Sequence, residues 1–595
     1  MKKRHSYDYG VIGNCAFTAH VGMDTNISWM CWPRFDSSFI FGGMLDNEKG
    51  GEFSILPNSS KWNTDQYYID NTNVLCTEIQ SDSGTYRVTD FTPRFHQMDR
   101  YFKPLMLIRK IERVSGAPHI LVKCQPKGDY GNRTPEPSIG SNHIRFLGLE
   151  SHVRLTTNIS LSHILNEEAF VLNETKYLVL TWGPPLEASL MDTCETFLTK
   201  TVQYWRNWIK TANISNFHQK HAIRSALALK IHQYEDTGAI VAATTTSLPE
   251  SPGSTRNWDY RFCWMRDTFY TLNAFNNIGH FEELEQYFHY ILNTTLEEAE
   301  RYQPLYSVTG EKILTEKTLD LKGYKDNVPV RVGNDAYTHI QNDVYGQVLI
   351  SLLPLYNDKR FVFDERFNSS ELIYKTLKMI EKTFDEKDAG LWEFRNLAQH
   401  HCYTYLFHWA GSSAAIQIAR ALKDEKIGEL ATKLKKKSAA MIEKCYVGNK
   451  KGYSQAVGVD RMDASTLQLI MMNYLSPESD KAKDHLKALE KELHAGDGLF
   501  YRYKHTDDFG EPETTFLICA FWYVEALACT GRMEDAIKYF ENLCSYSNHL
   551  GLLSEDVKAT DGSMWGNFPQ AYSHVGLLNA ASRIARKLDK PNFLD

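Results

Sequence analysis

The spacing of hydrophobic and polar positions changes once along the chain, near residue 185. Before it, apolar and polar residues alternate in short runs rich in β-branched and aromatic side chains, the period of half-buried strands. Val74-Leu75-Cys76-Thr77-Glu78-Ile79-Gln80 and Thr85-Tyr86-Arg87-Val88-Thr89-Asp90-Phe91 flank Ser83-Gly84, which reads as two strands on a tight turn. Leu105 to Ile111 and Ile120 to Cys124 continue the series and predict an antiparallel sandwich. Gly183-Pro184-Pro185 interrupts it, and residues 190–210 predict a connecting helix. From Asn216 the period becomes helical: Ile223, Ala226, Leu227 and Ile231 share one face, as do Phe281, Leu284, Phe288 and Ile291. Similar stripes recur near 336–356, 369–384, 403–446, 463–491, 515–545 and 569–587, about twelve paired helical segments. The expected organisation is a β-sandwich domain over 1–185, a linker helix within 186–215 and a helical domain over 216–595 built as a toroid of hairpins. The long loops between helices are where chemistry is expected.

Composition removes several classes. In 595 residues, 43% are hydrophobic and 23% charged, as in an ordinary globular protein. A net charge of −7 offers no basic excess for a phosphate backbone, so no nucleic acid partner is expected. Eleven cysteines without a Cys-x-x-Cys pair fit reduced thiols better than a disulfide framework or a zinc ribbon. The start Met1-Lys2-Lys3-Arg4-His5-Ser6 runs into polar residues, where a signal peptide would have its apolar core, and no apolar run reaches about 18 residues. The expectation is a cytoplasmic protein without membrane contact. Nucleotide-binding glycine loops, His-Glu-x-x-His and Gly-x-Ser-x-Gly are absent. His400, His401 and His408 do not form a ligand set with a carboxylate at suitable spacing, so neither metal nor cofactor is expected. Lys433-Leu434-Lys435-Lys436-Lys437 reads as a solvated helix face.

What remains is a set of loop sequences dense in aromatic and charged residues: Asn257 to Asp267, Gly390 to Arg395, Leu552 to Asp556 and Trp565 to Gln570. Rings stack on the C–H faces of sugars and ionised groups take directed bonds from their hydroxyls, so this mixture suits a saccharide site. Taken singly, each glutamate is more often a surface or capping carboxylate than a catalyst.

In order along the chain, these stretches resemble glycoside hydrolase family 15, which contains glucoamylases and bacterial trehalases. The resemblance is carried by Tyr9-Gly10-Val11-Ile12-Gly13-Asn14, Trp29-Met30-Cys31-Trp32-Pro33-Arg34-Phe35-Asp36, Ala243-Thr244-Thr245-Thr246-Ser247-Leu248-Pro249-Glu250 and Trp264-Met265-Arg266-Asp267. Further along, it continues in Val330-Arg331-Val332-Gly333-Asn334, Gln341-Asn342-Asp343-Val344-Tyr345-Gly346, Leu391-Trp392-Glu393, Leu553-Ser554-Glu555 and Gly566-Asn567-Phe568-Pro569-Gln570. It implies a super-β-sandwich followed by an (α/α)6 barrel, and an inverting, exo-acting hydrolase of α-glucosidic bonds with an α-glucoside oligosaccharide as its partner. Glu393 matches the general acid and Glu555 the general base. Arg266 and Asp267 match the pair that holds the terminal glucose, Trp264 and Trp392 the walls of that subsite, and Arg331, Gln341, Asp343 and Glu513 further polar site residues. Two features depart from the commoner bacterial pattern. Asn396 to Tyr405 replaces a glycine-containing basic segment, and Asp556 stands where glutamine is frequent, a like charge expected to alter the titration of Glu555. Release of glucose from α-linked oligosaccharides is the leading expectation, with α,α-trehalose next, then isomalto-oligosaccharides. An inactive sugar-binding relative is disfavoured by the presence of both glutamates. Oligomeric state is left open.

Overall fold

In a computed structural model, residues 4–186, 188–296, 301–361 and 369–588 are described. The first part is an antiparallel β-sandwich, as the alternation predicts. An eight-stranded sheet runs in the spatial order 136–139, 143–147, 153–157, 176–182, 106–116, 84–91, 75–81, 62–68. Opposite it lie a four-stranded sheet, 9–13, 18–22, 27–31 and 39–41, and a three-stranded one, 170–171, 119–125 and 52–57. Leu107, Ile111, Leu178 and Leu180 of the large sheet meet Ile12, Met30, Phe53 and Ile120 of the smaller ones in one core. The intervening Ile108 and Val179 point the other way, into the core shared with the helices. Central strands buried on both faces read as unbroken apolar runs, which explains Met106-Leu107-Ile108 and Tyr177-Leu178-Val179-Leu180.

A short helix α1 (Leu161–Leu165) lies within the sandwich, and α2 (Leu190–Lys210) leads out of it, burying Tyr204, Trp205 and Trp208. The helical domain comprises α3 (Gln219–Ile231), α4 (Thr268–Ile278), α5 (Phe281–Leu296), α6 (Asp343–Asn357), α7 (Ser369–Thr383), α8 (Cys402–Leu422), α9 (Glu425–Glu443), α10 (Gln468–Met471), α11 (Asp480–Leu493), α12 (Leu517–Cys529), α13 (Met533–Cys544) and α14 (Ala571–Leu588). Contacts close an inner ring: α4 packs on α6, α6 on α8, α8 through the turn Ala464–Leu467 on α10, α10 on α12, α12 on α14 and α14 back on α4, while α3, α5, α7, α9, α11 and α13 lie outside it. This is the (α/α)6 barrel.

Burial follows position in the ring. Every residue of inner α12 is buried, whereas outer α9 and α11 bury one stripe each. At one end of the barrel the connections are tight. Gly279 ends α4 in the left-handed region at φ 76°, and Asp424 caps α9 by accepting from the Ile427 N–H at 3.1 Å. At the other end the connections are long, 232–267, 384–401, 494–516 and 545–570 among them, and they build the cavity.

Candidate active site

The cavity is lined from five of these connections. The 232–267 loop supplies Glu250, Trp258, Tyr260, Trp264, Arg266 and Asp267, and the next one adds Asn334 and His339. From 384–401 come Trp392, Glu393 and Arg395, from 494–516 Arg502, Asp507 and Phe509, and Gln570 and Tyr572 complete it.

Glu393 occupies a left-handed backbone position, φ 62°, uncommon for a residue with a Cβ and characteristic of functional loops. Its Oε1 accepts from Trp264 Nε1 at 2.6 Å, from Arg266 Nη1 at 3.1 Å and, more weakly, from Gln341 Nε2 at 3.4 Å. Arg266 is anchored by its bond to the Leu391 carbonyl at 2.6 Å and by Asp267 at 3.3 Å. Burial raises the Asp267 carboxyl to about 6 against the pull of Arg266, and burial likewise raises Asp343 to about 6. Asp388, raised to about 7 by burial and by Asp343, braces the turn before Glu393: its carboxylate accepts from the Gly390 N–H at 3.1 Å, the Asn342 N–H at 3.0 Å and Thr404 at 2.8 Å. Trp392 is oriented from behind by Asp463, which accepts from its Nε1 at 2.8 Å.

Glu555 is 1% exposed, its Oε2 accepting from the Asn567 N–H at 3.2 Å. Tyr260 lines the cavity beside it, and the Glu555 Oε1 has no hydrogen-bond partner among the described residues. Burial first and the Glu250 carboxylate second push Glu555 up to about 8, against the pull of Arg502. Arg502 is ion-paired with Glu250, and Asp556 is raised as well, by burial and by Glu555. Two like charges therefore bear on Glu555: Glu250, and its chain neighbour Asp556, as the sequence pattern led one to expect.

The structure thus gathers Trp264, Arg266, Asp267, Gln341, Asp343, Trp392 and Glu393 around one point. Arg331 lies one layer out: it donates to the Thr255 and Asn257 carbonyls at 2.8 and 3.1 Å and stacks its guanidinium 4.6 Å from the Trp258 ring. Glu513 is not brought in. It is exposed between buried Pro512 and Thr514, and the Thr514 hydroxyl turns inward to the Glu250 carbonyl at 2.9 Å, so the alternation of the chain points Glu513 at solvent. Glu250, Tyr260 and Arg502 are cavity residues that the sequence reading did not assign. Residues 396–398, in the departing segment, are exposed, and its start is tied to the rim through the Arg395 and Asn396 N–H groups, which donate to Asp508 at 2.6 and 3.4 Å. His400, His401 and His408 go to separate partners: the Tyr405 hydroxyl, the ring of Phe394 and the Asn342 carbonyl.

Residues 216–582 match the family model of glycosyl hydrolases family 15, and residues 5–168 the trehalase-like N-terminal model. The chain belongs to family 15. It is an O-glycosyl hydrolase, and the family's fold accounts for both halves of the molecule. A trehalase of Thermoplasma volcanium is 30% identical over 595 residues, covering 98% of this chain and 94% of that one. A trehalase of Mycobacterium tuberculosis is 30% identical, covering 97% and 89%. Among solved structures, a bacterial glucoamylase complexed with acarbose superposes with a TM-score of 0.69 at 15% identity, covering 98% and 95%, a likeness of fold. No helix among the described residues is long and apolar enough to cross a membrane.

Proposed function

We propose that this family 15 hydrolase is an α,α-trehalase, inverting in stereochemistry, with Glu393 as general acid and Glu555 as general base. The observation that carries the substrate is similarity along nearly the whole length to relatives named trehalase, sandwich domain included. It reverses the order expected from sequence, in which longer α-linked oligosaccharides came first. At the rim, Arg256 pairs with Asp507 at 2.5 Å, Trp258 packs edge-on against Phe509 at 5.0 Å, and Arg395 lies over both rings.

In this reading the terminal glucose sits on Arg266 and Asp267, and Glu393 delivers a proton to the bridging oxygen. Glu555 takes a proton from a water that attacks the anomeric carbon from the opposite face. The second glucose leaves with the bridging oxygen, so one β-glucose and one α-glucose form per turnover. The water between base and carbon requires the two carboxyls to be about 6.5–9.5 Å apart. Support comes from Tyr260, which packs edge-on at 5.3 Å against Trp264, the donor to Glu393, and whose hydroxyl titration is raised by burial and by Glu555, Glu250 and Glu393. Glucose release from trehalose, maltose, maltotriose, isomaltose and soluble starch tests the substrate. Trehalose is expected to exceed every other by at least about tenfold in kcat/KM. A preference for maltotriose or starch would return the reading to a glucoamylase, and no turnover of any of them would make the chain a sugar-binding relative.

A further inference from the structure

We infer that His218, His221, Cys544 and Glu541 form a metal site of the zinc class, joining α3 to α13 on the outside of the barrel. One ligand atom from each of His218, His221 and Cys544 can be chosen so that all lie within 4.8 Å of one another. His218 Nε2 is 3.4 Å from Glu541 Oε1, so Glu541 stands beside the cluster as the fourth donor the site would draw in. In a tetrahedral zinc site with bonds of about 2.0–2.3 Å, neighbouring ligand atoms lie about 3.3–3.7 Å apart, so contraction of roughly 1 Å completes the shell. Rotation of the two half-buried histidine rings is enough to provide it.

The spacing comes from one helix end and one helix start. Glu541 and Cys544 are three apart in the last turn of α13, so that helix presents two ligands on one face, while His221 lies in the first turn of α3 and His218, left-handed at φ 47°, is the residue that leads into it. The donor set is two imidazoles, a thiolate and a carboxylate, which favours zinc over magnesium or calcium. A divalent ion with one thiolate and one carboxylate is neutral overall, and binding sends the thiol proton to solvent. Phe217 and Phe540, 5.2 Å apart, pack beside the site, and Phe540 lies 5.3 Å from the His218 ring, an apolar flank that shields the bonds. The position has a structural use. Helices α3 and α13 belong to the first and last hairpins of the barrel and both pack on α14, so an ion here pins the seam where the ring closes.

The test uses the full chain, stripped with a chelator, reduced, and titrated anaerobically with Co²⁺ and then Zn²⁺. One Co²⁺ per chain is expected, with a near-ultraviolet thiolate-to-cobalt band that Zn²⁺ abolishes, and stoichiometric Zn²⁺ should raise the thermal midpoint. Cys544→Ser should lose the band. Because Cys544 is buried, His221→Ala and Glu541→Gln are the companion variants, each at an accessible position and each expected to weaken Co²⁺ binding at least tenfold. Absence of the band in the unmodified chain, its persistence in Cys544→Ser, or unchanged affinity in both companions would overturn the site.

Discussion

The proton chemistry of single carboxyls decides how this site titrates. A base must be ionised to act, so activity rises with pH through its pKa. With Glu555 pushed up to about 8 by burial and by Glu250, the acidic limb of kcat/KM should lie near neutrality rather than near the ordinary carboxylate value. Glu250→Gln removes the opposing charge and frees Arg502, which also pulls Glu555 down, so the limb should move to lower pH. A limb that stays in place or rises would separate Glu250 from the base. Glu393→Gln and Glu555→Gln should each lower kcat by about 10²–10⁴ with the fold intact, and azide should restore only the Glu555 variant, because it replaces the nucleophile and not the acid. Near-normal turnover in either variant would remove that residue from the mechanism. The loops that carry Glu393, Trp264 and Arg266 stand out in the sequence because aromatic and charged residues crowd there, whereas the choice of Glu393 and Gln341 within the chain rested on the family resemblance. Arg502 carries the same signal, Phe500-Tyr501-Arg502-Tyr503, and could have been found by it. Glu250 could not, since nothing in Leu248-Pro249-Glu250 reveals that an arginine about 250 positions later will pair with it.

At the scale of elements, the outer helices were the readable ones, because a single buried stripe has a period. Inner α12, Leu517–Cys529, is apolar all round and shows no stripe to place its ends. The run read over 403–446 contains two helices, and the break falls at Lys423, left-handed at φ 57° without the glycine or proline that would announce it. The hairpins between strands were clearer, Ser83-Gly84 above all, where Gly84 pairs with Ser81 across the turn. One turn makes a prediction. Gly566, at φ 76°, lies against Glu555 so closely that an added Cβ would stand 2.5 Å from the carboxylate Oε2. Gly566→Ala should therefore lower kcat at least tenfold as well as destabilising the fold. Gly253→Ala, also at positive φ (75°) but with open space around its Cβ, should show only the backbone strain of about 1–3 kcal/mol in unfolding and near-normal kcat. Equal losses of kcat in the two would mean that contact with Glu555 has no part.

At the scale of the whole molecule, the sandwich and the barrel share a core, and charged groups are buried in the joint. Trp29 of the sandwich donates to the Thr244 carbonyl at 2.8 Å. In return, Arg261 of the barrel side reaches the Ser37 carbonyl at 2.7 Å while held by Asp259 at 2.7 Å. Arg94, fully buried, forms a two-pronged pair with Glu235 through Nη1 and Nη2, the Nη1 bond at 2.8 Å, and Nη1 also donates to the Asn14 carbonyl at 2.9 Å. Such a pair contributes little net stability when intact, since both ions were stripped of water to form it, but removing one partner leaves a buried charge and costs about 3–5 kcal/mol. Glu235→Gln should therefore destabilise both halves together, and calorimetry should show one cooperative transition, displaced downward, in the variant as in the parent. Replacing both partners, Arg94→Met with Glu235→Leu, should recover most of the loss, because it is the stranded charge and not the missing attraction that dominates. If the parent chain already unfolded in two separated steps, or if the single variant moved only one of them, the joint would be a contact between independent domains, and the shared core would not be what holds the barrel's loops in place around Glu393.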